Sequence, residues 1–188
     1  MCLPLLKPGS KGQAMSYFRQ TISLNIDRTE MYYWTNIDKS SEISVKLANE
    51  LAIAFRKKRN YDKAYLFYKE LLQKAPNNVA YLESCAEMQV CRGQEKDALR
   101  MYEKILQLEA DNLAANIFLG NYYYLTAEQE KKKLETDYKK LSSPTKMQYA
   151  RYRDGLSKLF TTRYEKARNS LQKVNFAFSI NRSSKDIG

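Results

Sequence analysis

The sequence predicts an all-α protein built from pairs of helices that stack on one another. The first observation is the composition, because 6 glycines and 4 prolines among 188 residues are too few to separate many short strands. The second is that residue types recur with a period of 34 residues. The third is the spacing inside each period, since residues at i, i+4 and i+7 share one face of a helix.

The period is clearest in the second half of two adjacent units. Three positions recur 34 residues later with residues of the same type: Ala64 and Ala98, Tyr68 and Tyr102, Leu71 and Ile105. Residues 12–26 and 164–177 follow similar offsets. Because a small, an aromatic and an aliphatic residue then line one helical face, each of these segments is predicted to be an amphipathic helix.

The first half of each unit is also predicted to be helical. Residues 45–55, 79–90 and 113–123 have helical apolar spacing, and each carries a small residue at the same place: Ala52, Ala86 and Gly120. Small residues let one helix approach its partner closely. A single pair cannot bury its apolar face alone, so neighbouring pairs must stack.

This arrangement resembles the tetratricopeptide repeat (TPR) family, whose unit is two helices in about 34 residues. The resemblance covers residues 45–78 and 79–112 closely, and 113–124 and 164–177 as a first and a second helix. It implies a right-handed α-solenoid of TPR-like antiparallel helix pairs, interrupted here by two helical insertions. The family's tryptophan position holds Ala48 and Leu82, a departure that the family tolerates.

We expect one helical domain over residues 12–178, with flexible ends at 1–11 and 179–188. Its repeat units would span about 45–78, 79–112 and 113–178, the last with an insertion at 125–146. The helix at 12–26 lacks a partner of its own, so upstream sequence, the aromatic residues at 32–34 or a second copy would cover it.

The two insertions are predicted to be helical as well. Residues 31–34 form a short helix, after which Ser40 and Ser41 offer an N-cap. Residues 125–141 continue the preceding helix without a breaker, giving a helix of about 25–30 residues, well beyond the average. Ser143 would then cap the next helix, with Pro144 at its first position.

Two helical registers are possible between residues 147 and 160. One aligns Gly155 with Gly120 but places the charged Asp154 and Lys158 in the core. The other is shifted by one residue and buries three apolar side chains: Tyr152, Leu156 and Leu159. The sequence leaves both registers open.

In TPR proteins the first helices of successive units line a concave groove that binds peptides. The resemblance assigns six positions on each of three first helices to that groove, among them Ile53, Ala80 and Ser84. The candidate binding residues at these positions are Asn49, Arg56, Lys57, Glu83, Glu87, Phe118, Asn121 and Tyr124. The groove would pass from basic through acidic to aromatic, which suits a segment with an apolar anchor and mixed charge. In the alternative interpretation, Ile117, Phe118 and Tyr124 pack against the inserted helices and are closed off.

One TPR subclass grips a C-terminal carboxylate with basic and amide side chains. At the matching positions this sequence keeps only Asn49 as a donor and lacks the lysines and the arginine. We therefore exclude that clamp. The groove assignment implies a protein or peptide partner and makes the chain a protein-interaction scaffold.

Several enzyme classes are excluded by composition. The chain has no histidine, which removes Ser-His-Asp and Cys-His nucleophile systems and histidine-containing metal sites. Its 3 cysteines, Cys2, Cys85 and Cys91, are too few for a thiolate zinc site. No glycine-rich phosphate loop or nucleophile motif is present. We expect no catalysis, no cofactor and no bound metal.

The net charge of +11 is unevenly placed. Residues 146–188 carry ten basic against three acidic residues, net +7, and residues 46–78 eight against three, net +5. A basic surface that binds nucleic acid or anionic lipid is therefore one alternative function, and a structural homo-oligomer another. Nucleic acid is the weaker interpretation, because the basic run at 56–59 ends a helix, where cations stabilise the helix dipole.

The compartment is predicted only weakly. No segment approaches the roughly 18 apolar residues of a membrane span. Unpaired cysteines favour the reducing cytoplasm. If the apolar residues 1–6 are the remnant of a signal peptide, the protein would instead be periplasmic or exported.

Overall fold

The computed structural model describes residues 11–183, which form nine α-helices and one π-helical turn and contain no β-strand. The helices are α1 (Lys11–Leu24), α2 (Ile26–Asn36), α3 (Glu42–Lys57), α4 (Tyr61–Lys74), α5 (Val79–Cys91), α6 (Glu95–Leu108), α7 (Leu113–Lys139), α8 (Lys146–Leu159) and α9 (Glu165–Ser183). The π turn (Phe160–Tyr164) joins α8 to α9. The all-helical class is therefore confirmed. None of these helices combines the length and the apolar character needed to cross a bilayer.

The chain divides into two compact units, Met1–Met101 and Tyr102–Gly188, and the boundary falls inside α6. The elements of a repeat array contact only their neighbours, so a division of this kind is also expected within one array. The single domain over residues 12–178 therefore stays a prediction. Of the expected flexible ends, residues 1–10 and 184–188 lie outside the described residues. Residues 179–183 continue α9.

Side-chain caps begin several of the helices. Ser41 accepts a hydrogen bond from the backbone N–H of Ser44, so the predicted serine cap of α3 is confirmed. Asn60, Asn78 and Asn112 cap α4, α5 and α7 in the same way. These caps satisfy N–H groups that a helix leaves without an intrahelical partner.

Burial recurs with the sequence period. Residues 34 positions apart are all 7% exposed or less. The pairs are Ala48 and Leu82, Leu51 and Cys85, Ala52 and Ala86, Ala64 and Ala98, Tyr68 and Tyr102, Leu71 and Ile105. The backbone repeats too, because Arg59 (φ 58°) and Gly93 (φ 73°) both adopt the left-handed conformation. Glycine reaches this conformation without strain, whereas an arginine there is uncommon, so the sequence alone does not show this equivalence.

The N-terminal unit is centred on a cluster of aromatic side chains, of which Tyr33, Phe55 and Phe67 are buried and Trp34 is 43% exposed. Phe67 of α4 lies 5.3 Å from Tyr33, 5.3 Å from Trp34 and 5.8 Å from Phe55, measured between ring centroids. The apolar face of α1 packs against α2 and α3. Residues 31–34 belong to the longer helix α2, and this aromatic helix, one of the three predicted possibilities, covers α1.

The C-terminal unit is built around α7, which contacts α8, the π turn and α9. Its 27 residues agree with the predicted length. Gly120 faces Leu171 of α9 so closely that a Cβ atom there would lie 2.7 Å from the Leu171 Cγ and Cδ2 atoms. The predicted role of Gly120 in close helix approach is therefore met by α7 and α9.

Two sequence expectations for α8 are decided by the structure. Leu159 is buried and Tyr152 is half-buried, whereas Asp154 and Lys158 are exposed. The shifted register is therefore the one adopted, although Gly155 still faces Leu134 of α7.

The predicted cap of α8 is wrong. Thr145, not Ser143, is the N-cap, and the helix begins at Lys146. The Thr145 hydroxyl accepts from the Gln148 N–H, and the Gln148 Oε1 accepts from the Thr145 N–H. This reciprocal capping box satisfies two groups at once, whereas Ser143 as the N-cap would have Lys146, which has no acceptor atom, at the N3 position.

Candidate functional site

A cleft of about 380 Å³, termed the N-terminal cleft, lies between α3 and α5. It forms because α4 packs against both helices and leaves a furrow above its own Tyr68. Its lining combines polar and apolar side chains: Asn49, Ile53, Arg56, Lys57, Tyr68, Ala80, Tyr81 and Ser84. Such a mixture can hold an apolar side chain while hydrogen bonds fix its orientation.

Charges of both signs meet beside this cleft. The Arg56 Nη1 atom donates to the Glu87 Oε2 atom at 2.9 Å, and both side chains are about half exposed, at 47% and 48%. Lys57 makes no ion pair within residues 11–183. The predicted basic and acidic stretches of the groove therefore neutralise each other in part, and Lys57 supplies the remaining positive charge.

Tyr68 places a hydroxyl at the floor of the cleft. Burial raises its pKa, whereas hydrogen bonds with Ser84 and Arg56 act in the opposite direction. The phenol therefore stays neutral at physiological pH. It links side chains from α3, α4 and α5 into one polar group.

The structure brings several predicted groove residues together in the N-terminal unit. Asn49, Arg56 and Lys57 line the cleft, and Glu87 is bonded to Arg56. Glu83 lies on α5, half-buried, next to Ser84 in the chain. These are the predicted residues of α3 and α5.

Sequence reasoning missed Tyr81 as a cleft residue and treated Tyr68 as core alone. Tyr68 is only 2% exposed, yet its polar end reaches the cleft. A tyrosine commonly buries its ring and presents its hydroxyl at a surface. The presence of tyrosine rather than phenylalanine at this repeat position is the sequence feature that could have indicated a hydroxyl in the cleft.

The three predicted residues of α7 have different surroundings. Phe118 is half-buried and stacks on Tyr102, with 4.4 Å between ring centroids. Asn121 is exposed. Tyr124 is 47% exposed and meets the ring of Tyr164 edge-on at 6.2 Å. Phe118 is therefore partly covered by α6, whereas Tyr124 contacts the π turn.

Tyr124 belongs to a second concavity, termed the C-terminal pocket, with a volume of about 280 Å³. Its walls come from α7, the π turn and α9, and include Phe160, Tyr164 and Leu171. No sequence pattern indicated this pocket, because the register of residues 147–160 was open and the π turn has no periodic signal.

The basic run at 56–59 contributes to a third, polar cleft of about 450 Å³ at two inter-helix turns. Lys58, Arg59 and Arg92 line it. Arg92 already donates to Asp62 at 2.6 Å and to Gln89 at 2.8 Å. Its positive charge is therefore partly neutralised within the chain.

The two described cysteines have different surroundings, because Cys85 is buried and Cys91 is exposed. Burial raises the pKa of the Cys85 thiol to about 12, so the thiolate needed for attack or for metal binding does not form at neutral pH. Cys91 is exposed and unbonded. Within residues 11–183, no three Cys, Asp or Glu side chains converge in a way that would hold a metal ion.

These features define an all-helical protein with concave surfaces on both of its units. The sequence matches no known protein-family model and no curated protein. It is similar to a candidate protein-binding protein from Bacteroides ovatus whose crystal structure is known. The two are 82% identical over 94% of this chain and 91% of that chain, with a TM-score of 0.81. The chain therefore belongs to the same family as that Bacteroides ovatus protein.

Proposed function

We propose that the chain is a protein-interaction module of the TPR type, which binds a segment of a partner protein in the N-terminal cleft. The observation that carries the proposal is the cleft itself: six positions that the TPR resemblance assigns to a peptide groove surround one cavity. They are Asn49, Ile53, Arg56, Lys57, Ala80 and Ser84. The role is binding without catalysis, in an array of antiparallel helix pairs.

The periodic architecture supports the TPR assignment. Burial, asparagine caps and left-handed turn residues all recur 34 residues apart, as at Asn78 and Asn112 or Arg59 and Gly93. Independent backbone and side-chain features with one period are typical of a repeat array. The similarity to a candidate protein-binding protein supports the same class of function.

The chemistry of the cleft favours a segment with an apolar anchor beside a carboxylate. Ile53 and Tyr81 provide apolar contact, Lys57 provides positive charge, and Asn49 and Ser84 provide hydrogen-bonding groups. Because Arg56 is already bonded to Glu87, an incoming carboxylate gains most from Lys57.

A displayed library of random peptides tests the proposal. Peptides are selected on the wild-type chain and their affinities are then measured for Tyr81→Ala and Lys57→Glu. Loss of either group is expected to weaken binding about tenfold, equivalent to about 1.4 kcal/mol. Lys96→Glu is the matched control, since Lys96 is exposed on α6 and does not line the cleft. Equal binding to all variants, or no selected peptide, would contradict the proposal.

The rival functions give different outcomes. A basic surface that binds phosphates loses affinity by orders of magnitude between about 50 and 200 mM salt, whereas binding through an apolar anchor responds weakly. A structural homo-oligomer shows a mass that rises with concentration in sedimentation. The net charge of +7 over residues 146–188 is the observation that favours the first rival.

A further inference from the structure

We propose that the C-terminal pocket is a separate docking site for an acidic segment of a partner protein, which inserts one aromatic or leucine side chain. This proposal does not rest on the N-terminal cleft. The pocket lies wholly within the C-terminal unit, and its lining includes Tyr124, Phe160, Tyr164 and Leu171 together with two charged side chains, Glu165 and Arg168. Its volume of about 280 Å³ suits such a side chain, since an apolar cavity of about 150 Å³ already admits benzene.

The π turn presents Phe160 to solvent. The Glu165 N–H bonds to the Phe160 carbonyl five residues earlier, so the turn is wider than in an α-helix. Two threonine hydroxyls donate to the Lys158 carbonyl, which precedes the turn: Thr162 at 2.7 Å and Thr161 at 3.2 Å. Two side chains of the turn thus support the end of α8, and π turns occur frequently at functional sites.

The wall of the pocket is held in place before any ligand arrives. The Tyr164 hydroxyl donates to Glu128 at 2.6 Å, and Arg163 donates to Glu130 at 3.0 Å. Burial and the bond to Glu128 raise the pKa of Tyr164 to about 12, so its hydroxyl stays a donor at neutral pH. A fixed wall lowers the entropy cost of binding.

Large apolar side chains remain exposed around the opening. Phe160 is 55% exposed and Tyr124 47%, and both line the pocket. Single exposed apolar residues are ordinary, but a cluster of them beside a cavity marks a surface for interaction. An occupant that carries an apolar side chain would cover this cluster.

The charge around the pocket selects an acidic occupant. Residues 146–188 carry net +7. Arg168 lines the pocket and makes no ion pair within residues 11–183, Glu165 lines it with the opposite charge, and Lys158 is exposed at the end of α8, just before the π turn. An acidic segment would be steered to this surface and would place a carboxylate on Arg168.

The test uses the full chain and a short dye-labelled peptide with one phenylalanine between aspartates. Fluorescence anisotropy is expected to show saturable binding. Phe160→Ala and Arg168→Glu should each weaken binding about tenfold, or about 1.4 kcal/mol. Phe176→Ala and Arg151→Glu are matched controls that should change the affinity less than about twofold. Both control side chains are exposed and lie outside the pocket.

Several results would overturn the proposal. One is the absence of saturable binding up to about 1 mM peptide. Another is equal affinity for a peptide with alanine in place of phenylalanine, since charge alone would then explain binding. A concentration-dependent dimer that Phe160→Ala dissolves would assign the pocket to a second copy instead. Circular dichroism of each variant verifies that the fold is kept.

Discussion

The two units of this protein make concave surfaces by different means. In the N-terminal unit, α1 to α5 are 11 to 16 residues long, and tight turns separate them. In the C-terminal unit, α7 alone has 27 residues, and helical structure runs from Lys146 to Ser183 with only the π turn as an interruption. The N-terminal cleft follows the repeat period, whereas the C-terminal pocket appears where the period is broken.

The comparison shows what regularity contributes. Short helices of similar length place equivalent side chains at similar heights, so a furrow between α3 and α5 follows from the repeat itself. A long helix has no such neighbour along its whole length. Along α7 the partners are α8, the π turn and α9 in succession, and the π turn at residues 160–164 is where the regular α-helix is widened.

The largest expected effect is on the core of the N-terminal unit. Phe67→Ala removes a fully buried ring that contacts three other aromatic residues, and should lower the free energy of unfolding by about 3–5 kcal/mol. Leu66→Ala, at a neighbouring side chain that is 53% exposed, should change it by less than about 0.5 kcal/mol. Urea unfolding followed by circular dichroism measures both, and equal effects would mean that Phe67 is not central.

The next largest effect on stability is expected where α7 and α9 approach each other closely in the C-terminal unit. Gly120→Ala places a methyl group 2.7 Å from the Leu171 side chain, and overpacking of this kind costs about 1–3 kcal/mol. The better helix propensity of alanine offsets about 1 kcal/mol of that cost. The control is Gly155→Ala, whose new methyl would meet only the flexible tip of Leu134 at 3.1 Å. That variant should be neutral or more stable, and a loss as large as that of Gly120→Ala would contradict the argument.

Substitution of one buried tyrosine in each unit by phenylalanine should affect stability differently. The Tyr123 hydroxyl donates to Glu103 at 2.9 Å, so Tyr123→Phe should cost about 0.5–1.5 kcal/mol. Within residues 11–183 the buried Tyr33 hydroxyl has no hydrogen-bond partner. Tyr33→Phe should therefore leave stability unchanged or raise it. Thermal unfolding of the two variants checks the contrast, and a loss for Tyr33→Phe would reveal a missing partner.

The dependence of stability on alkaline pH tests Tyr33 in a second way. Burial raises the pKa of Tyr33 to about 12, from an ordinary value of 10.0. The folded state thus holds this proton more tightly than the unfolded chain. The contribution of Tyr33 to the free energy of unfolding is therefore complete below pH 10 and is lost as the pH rises to about 12. Tyr33→Phe should make that decline shallower. Identical pH profiles for the variant and the wild type would contradict the assignment.

The smallest effects concern exposed ion pairs. A double-mutant cycle on Arg56 and Glu87, 2.9 Å apart, should give a coupling of about 0.2–1 kcal/mol that shrinks with salt. The pair of Arg163 and Glu130 in the other unit, at 3.0 Å, should lie in the same range. A coupling well above that range would mean that one pair is shielded from solvent.

The sequence predicted the helices better than the sites. The length of α7, the serine cap of α3 and the all-helical class follow from local patterns, because caps and amphipathic spacing act over a few residues. The cap of α8 was misassigned, since two competing capping sequences overlap at residues 143–145. The sequence did not predict that Tyr81 and Phe160 line cavities, because their position there depends on a helix that is distant in sequence.

The sequence by itself determined which faces are buried, as the matching burial of Ala64 and Ala98 or of Ala52 and Ala86 illustrates. Apolar periodicity fixes this, because each helix must remove one stripe from water. Only the tertiary structure decided that Arg56 is bonded to Glu87 and that Phe160 opens a pocket beside Tyr124. Such pairings depend on the height and rotation of neighbouring helices, and these are set by packing rather than by any local run of residues.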